Sequence, residues 1–484
     1  MLENFKPQNV FKYFEEICKI PHGSGNTKGI SDYVVSVATE HNLEYSQDEL
    51  NNVIVYKKGS IGHEALEPVM FQAHLDMVCE KNFETDARFN FETDSLKVAF
   101  MDDYVFARGT TLGGDDGVGV AYMLALLTDD TIVSPPLECV FTVDEETGMG
   151  GAKALDVSKS KSKRLINLDE EEEGIILTSC AGGKNASISL PVRRVEKSGI
   201  KYNIVICGLL GGHSGTEINK YRGNANLIMG RLLQYLDTQV KFDLISLNGG
   251  LQDNAIPREC NAEVLVHEND IDKLENIFST FEEIIKREYR TVEKNMMVYC
   301  ENCDDATEKV LTYKTMHRII FLLMTLPDGV QRMSPDTDNL VQTSSNVGII
   351  KLLKDKFNAY ISIRSSVTSE KEALSTKIKY LVETIGGSYS EEGDYPAWEY
   401  REDSALRETT VRCYERLYNE APKILGIHAG LETGVFYNAI KDLDIVSIGP
   451  DILDIHTPKE RLSISSTERV YNLVVEILKE LAEN

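Results

Sequence analysis

Five side chains have the types and spacing expected of a metal centre lined by carboxylate and imidazole: His74, Asp115, Glu146, Asp169 and His456. Zinc takes neutral imidazole nitrogen and carboxylate oxygen, and two zinc ions about 3.5–4 Å apart are usually bridged by a shared ligand. Such a centre needs two histidines, at least three carboxylates and a further acid to move protons. Glu145, next to Glu146, is available as that acid. Taken singly, each residue has a plainer reading. His74 reads equally as a satisfied structural histidine, Asp115 as a helix N-cap, and Glu145 and Glu146 as surface acids. The acidic run 169–173 reads as a solvated, self-repelling loop. The combination is less easily accidental, because HxD, GGDD, EExG and LxD each follow a strand-like run.

The elements that must position these groups are α/β in pattern. Residues 68–73 (PVMFQA) read as a buried strand running into His74, and residues 137–143 (LECVFTV) as another running into Asp144-Glu145-Glu146. Residues 165–168 lead into Asp169, and residues 444–448 lead through Gly449-Pro450 to His456. Gly113-Gly114-Asp115-Asp116 opens a helix with Val120, Ala121, Leu124 and Leu127 on its apolar face, and Asp116 is a suitable N-cap. Open α/β sheets bind ligands beyond the carboxyl ends of their strands. Four distant segments are therefore expected to converge on one site.

Between these parts the texture changes. Residues 187–389 read as an inserted α+β domain, and residues 1–186 and 390–484 as one interrupted catalytic domain with a mixed sheet flanked by helices. Within the insert, strands are expected at 201–207, 242–247, 259–267, 296–300, 340–351 and 358–366. Helices are expected at 219–236, 271–288, 308–326 and 371–384, an order suggesting two α+β halves of roughly 100 residues each.

Composition narrows the partners. The 484 residues carry a formal net charge of −26. So acidic a surface disfavours nucleic acid and anionic lipid. The N-terminal stretch lacks the basic and apolar regions of a secretion signal, and nine scattered cysteines fit a reducing, cytoplasmic setting. Cys300 and Cys303 form a lone CxxC with no second pair to complete a zinc knuckle. A nucleotide-dependent enzyme is disfavoured, since no GxxxxGK[ST] occurs and the GGDDG turn places acids where phosphate would need bare amides.

His74-Leu75-Asp76-Met77-Val78, residues 110–117 (TTLGGDDG) and residues 144–148 (DEETG) resemble the catalytic blocks of the aminoacyl-histidine dipeptidases, within the clan of co-catalytic zinc exopeptidases. The likeness continues through Leu168-Asp169 and residues 180–183, 211–215, 222–226 and 254–259, then through residues 364–366, 428–432 and 456–458. It implies two Zn²⁺ per chain, with Mn²⁺ or Co²⁺ as substitutes. His74 and Asp169 would hold one ion, Glu146 and His456 the other, and Asp115 would bridge. Asp76 would accept the second ring N–H of His74. Glu145 would be the general base for a metal-bridged hydroxide attacking a small, unblocked peptide, with Xaa-His dipeptides preferred.

The resemblance also implies a cis bond between Asp115 and Asp116, and a lid made by the insert. His213 would stabilise the oxyanion, Arg364 would clamp the terminal carboxylate, and Asn254 would assist it. Relatives of this kind include di- and tripeptidases and N-acyl amino acid deacylases, and some borrow a lid histidine from a partner in a homodimer. A catalytically silent binding protein would be expected to have lost Glu145 or a ligand; none is missing here.

Overall fold

The computed structural model describes residues 2–85 and 88–483. The chain packs as two units, one of Met1–Cys180, Trp398–Gly426 and Leu431–Asn484, the other of Ala181–Ala397 and Ile427–Gly430. The architecture is the expected α/β unit interrupted by an α+β insert.

The first unit is built on an eight-stranded mixed sheet. Its order is Glu44–Gln47, Val53–Lys57, Leu137–Thr142, Val69–His74, Arg164–Asn167, Asp444–Ser447, Ile175–Cys180 and Lys423–Ile427. The central strands Leu137–Thr142, Val69–His74, Arg164–Asn167 and Asp444–Ser447 run parallel, and the strands outside them add antiparallel pairs. Val69–His74 and Leu137–Thr142 are buried along their whole length. Parallel strands covered on both faces read in sequence as the continuous apolar runs seen here.

The helix Gly114–Thr128 is buried on all sides from Gly117 to Leu127 rather than along one face. It packs between the helix Gln8–Ile17 and the strand Val69–His74, and a helix apolar all round belongs inside a core. Asp116 does not cap it. Its Oδ2 accepts from the backbone N–H of His74 at 3.2 Å, and its buried Oδ1 has no partner among the described residues.

The second unit carries one nine-stranded sheet, in the order Met297–Leu311, Arg194–Cys207, Cys260–Val266, Phe242–Gly249, Val341–Leu352, Lys356–Ser365, Gly182–Pro191, Ser388–Tyr395, with Gly329–Met333 paired to Val341–Leu352. Each half of this sheet is a βαββαβ unit, and the two orders mirror one another. The two halves of the sheet are joined where Asn248 and Gly249 pair with Lys351 and Ile350. The halves are nested: the strand Gly182–Pro191 belongs with the second half but precedes the first in sequence. For that reason the units divide at Cys180/Ala181 and Ala397/Trp398, outside the expected limits of 187 and 389. Gly182–Pro191 and Ser388–Tyr395 are sheet strands paired with each other.

Two helices are shorter than their patterns. Asn224 caps the first by accepting from Asn226 N at 3.0 Å, so the helix is Ala225–Asp237. The other begins at Tyr313 because residues 308–311 pair with the strand at Arg194. All nine cysteines are free thiols. Among the described residues no helix is long and apolar enough to cross a membrane.

Candidate active site and metal centre

In the first unit, the ends of three parallel strands and two loops bring the predicted ligands together. His74 is the last residue of its strand. Its Nε2 lies 3.0 Å from Asp115 Oδ1 and 3.4 Å from Asp169 Oδ1. His456 Nε2 lies 3.1 Å from Asp115 Oδ2 and 3.0 Å from Glu146 Oε1. Asp115 thus turns one oxygen to each histidine. The sequence reading takes the strand at 444–448 through Gly449-Pro450 to His456. Beyond Pro450 the chain enters a small four-stranded sheet that the sequence reading did not include, and His456 sits at positive φ between its strands Ile452–Leu453 and Arg461–Ser463.

Asp76 differs in detail from the expected arrangement. His74 Nδ1 lies 2.9 Å from the Asp76 backbone carbonyl, while the Asp76 carboxylate is 3.7 Å away. That carboxylate accepts from Glu145 N at 3.0 Å, Glu146 N at 3.3 Å and Ser24 Oγ at 2.8 Å. It therefore holds the turn that presents both glutamates. Asn52 staples the same turn, accepting from Val143 N at 3.1 Å and donating to the Gly151 carbonyl at 3.1 Å. A Cβ at Gly151 would lie 2.2 Å from the Val143 carbonyl, so the turn closes only on glycine. The peptide bond Asp115–Asp116 is cis.

The electrostatics show what the cluster lacks. Burial pushes the Asp169 carboxyl up to about 7, against the pull of His74. Burial likewise pushes Glu145 up to about 8, with Asp169, Glu146 and Asp115 adding to it and His74 opposing. Hydrogen bonds to Asp115 and Glu146 raise His456 to about 10. His74 is raised well above the usual imidazole range, because its bonds to Asp115 and Asp169 outweigh its burial. Glu145, Asp169 and both imidazoles hold protons more tightly than usual, whereas Asp115, despite its burial, is held low by its hydrogen bonds to His456 and His74. The cluster is short of positive charge.

Divalent cations fit that deficit. Zinc–donor distances of about 2.0–2.2 Å set neighbouring tetrahedral donors about 3.3–3.6 Å apart, close to the 3.0–3.4 Å separations here. Donor atoms of His74, Asp115 and Glu146, and those of His74, Asp116 and Asp169, lie within 4.8 Å of one another. Asp116 was not expected as a donor. Behind the ligands, a buried network that sequence reasoning missed ties the strands together. Glu432 Oε2 accepts from Gln72 Nε2 at 2.6 Å and Thr142 Oγ1 at 2.5 Å, and Asn167 Nδ2 donates to Gln72 Oε1 at 2.7 Å. Gln72 and Asn167 each lie two residues before a predicted ligand, and that spacing was the available signal.

The remaining predicted residues lie in the second unit. His213 Nδ1 accepts from Thr216 N at 3.2 Å, which places the ring proton on Nε2 as a donor. Arg364 donates from Nη1 to Tyr395 OH at 3.0 Å, and its buried Nε has no partner among the described residues. Asn254 is exposed, and its carbonyl accepts from Ser214 N at 2.9 Å. His428 joins this group without having been assigned a role. It is 5% exposed, its Nε2 lies 2.7 Å from Ser344 Oγ, and a Cβ at Gly215 would contact both His213 and the His428 carbonyl. Burial, with Arg364 adding to it, pushes His428 down to about 3.

The sequence matches peptidase family M20/M25/M40 over residues 70–482. It is 36% identical over 483 residues to the cytosol non-specific dipeptidase of Escherichia coli, covering 99% of both chains. The fold superposes on the aminoacylhistidine dipeptidase of Vibrio alginolyticus with a TM-score of 0.93 at 33% identity, covering 99% of this chain and 98% of that one. The aminopeptidase PepT of Bacillus cereus shares the fold at TM-score 0.57 and 17% identity, covering 99% of each chain. This chain belongs to peptidase family M20/M25/M40 and is a peptide-bond hydrolase.

Proposed function

We propose that the protein is a cytoplasmic two-zinc dipeptidase acting on small unblocked peptides, with Xaa-His dipeptides preferred. The observation that carries the reading is Asp115, whose two oxygens are shared between His74 and His456 at 3.0 and 3.1 Å. A carboxylate so placed suits a bridge between two ions. His74 and Asp169 would hold one ion, Glu146 and His456 the other. When bound, the ions supply Lewis acidity that polarises the scissile carbonyl and makes water a nucleophile near neutral pH.

The chain's own groups do the rest. Glu145 belongs to the cluster, yet no hydrogen bond occupies its carboxylate among the described residues, so it is free to take a proton from the attacking water. It returns that proton to the leaving amine nitrogen. Asp76 keeps Glu145 and Glu146 in place through their backbone amides. The inserted unit acts as a lid: His213 donates Nε2–H to the developing oxyanion, and Arg364, assisted by Asn254, binds the peptide carboxylate.

A broader di- or tripeptidase is the second reading, and the name of the Escherichia coli relative favours it. The test is hydrolysis of carnosine, Ala-His, Gly-His, Ala-Leu, a tripeptide and an N-acetylated amino acid by zinc-loaded protein, with and without chelator. Chelator-sensitive cleavage concentrated on the histidine dipeptides is expected. Even cleavage of all dipeptides would withdraw the histidine preference, and turnover of the acetylated compound alone would replace the peptidase reading with deacylation.

A further inference from the structure

The loop that carries Asp115 is held by a carboxylate that has no part in the scheme above. Glu460 is 3% exposed and lies four residues after His456. Its Oε2 accepts from Leu112 N at 2.7 Å and Gly113 N at 3.1 Å. Its Oε1 accepts from Gly114 N at 2.7 Å and Asp115 N at 3.4 Å. Four successive amides thus converge on one side chain. Gly113 makes this possible by adopting φ +68°, which turns its amide inward with those of its neighbours. Successive N–H groups in such a turn form a concave anion site, and here the chain supplies its own anion.

Resting on the metal-centre reading, we propose that Glu460 is a positioning residue for the two-ion site, coupling the loop of the bridging Asp115 to the loop of His456. The two loops are 341 residues apart, and neither is part of the main sheet. Glu460 joins them with a fixed span: it follows His456 by one short turn and ends on the backbone of Asp115. Held this way, Asp115 can keep one oxygen toward each histidine. If the amide nest were released, the aspartate could point both oxygens at one ion, and the bridge would open.

Glutamine is the discriminating substitution. Each carboxylate oxygen accepts two N–H groups, so whichever way a Glu460→Gln amide turns, its NH₂ group faces two backbone donors. Outer partners of metal ligands typically cost about 10–100-fold in metal affinity when altered.

The experiment measures zinc affinity and stoichiometry by chelator competition on full-length protein, alongside the melting temperature of the metal-free form. It compares wild type with Glu460→Gln, Glu460→Asp and Asp444→Asn. Asp444 is a control of a similar kind: a buried carboxylate that accepts from Leu406 N at 2.9 Å and Ser404 Oγ at 2.5 Å, away from the ligands. Glu460→Gln is expected to weaken zinc binding about 10–100-fold, and Glu460→Asp to weaken it less. Asp444→Asn should lower the melting temperature and leave zinc affinity unchanged. Should Glu460→Gln fail to fold, Glu460→Asp carries the test. Wild-type affinity in the Glu460 variants, or an equal loss in Asp444→Asn, overturns the proposal. Failure of the wild type itself to bind two ions would overturn the metal-centre reading instead.

Discussion

The two units bury polar groups of opposite need. In the first, Asp115, Glu145, Glu146 and Asp169 crowd around two imidazoles, and Glu145, Asp169 and both histidines hold protons above their ordinary ranges while Asp115 gives its proton up. In the second, Arg364, His213 and His428 neighbour one another, and burial, with the guanidinium adding to it, drives both imidazoles downward. Desolvation acts on both clusters, because it always disfavours the charged form. What differs is the sign of the neighbours. The first cluster wants a cation. The second expels protons from its histidines while keeping an arginine, so it wants an anion. On the function proposed above, the first cluster would take the metal ions and the second the carboxylate of the peptide.

The largest expected effect breaks the first cluster chemically without emptying it. Glu145→Gln should lower kcat by about 10²–10⁴-fold with zinc per chain unchanged by elemental analysis. Near-normal turnover would remove Glu145 from the proton path. Loss of zinc would make it a ligand instead.

An intermediate effect belongs to the second cluster. Arg364→Ala should reduce kcat/KM on free dipeptides by about 10–100-fold, the worth of a charged hydrogen bond of about 1.5–3 kcal/mol. Dipeptides ending in a carboxamide should be nearly indifferent to the substitution. An equal loss on both substrates would mean that Arg364 serves the fold rather than the carboxylate, and the contrast between the units would lose its functional sense.

The smallest effect concerns stability. The unfolded His428 imidazole gains its proton near 6.5, while the folded one resists until about 3. Between those values the unfolded chain binds more protons, so stability falls as pH falls through that window. His428→Asn should make the melting temperature less steeply dependent on pH there than in the wild type. Identical slopes would show that His428 is protonated in the folded state and that the second cluster tolerates more positive charge than its geometry suggests.

Much of the first cluster was legible because its residues lie at the ends of apolar runs. His74, Glu146 and Asp169 follow strands that read as buried, and burial forces those strands into the middle of a sheet. The route to His456 was less legible, since an added hairpin of two- and three-residue strands leaves almost no periodic trace. In the second unit, patterns misjudged helix starts where Asn224 caps later than the pattern begins and where residues 308–311 are drawn into a strand. Helical periodicity is local, but pairing with Arg194–Cys207 is not.

The sequence alone determined the family, the α/β class with its insert, and the residue types that the proposed two-ion centre needs, because periodicity and motif chemistry are written in short windows. Only the tertiary structure decided that the Asp76 carboxylate grips the glutamate turn rather than the His74 ring. It alone showed the nested halves of the insert and Glu460 closing the Asp115 loop. Those facts depend on which distant amide meets which carboxylate, and that is set by how strands far apart in sequence come into register.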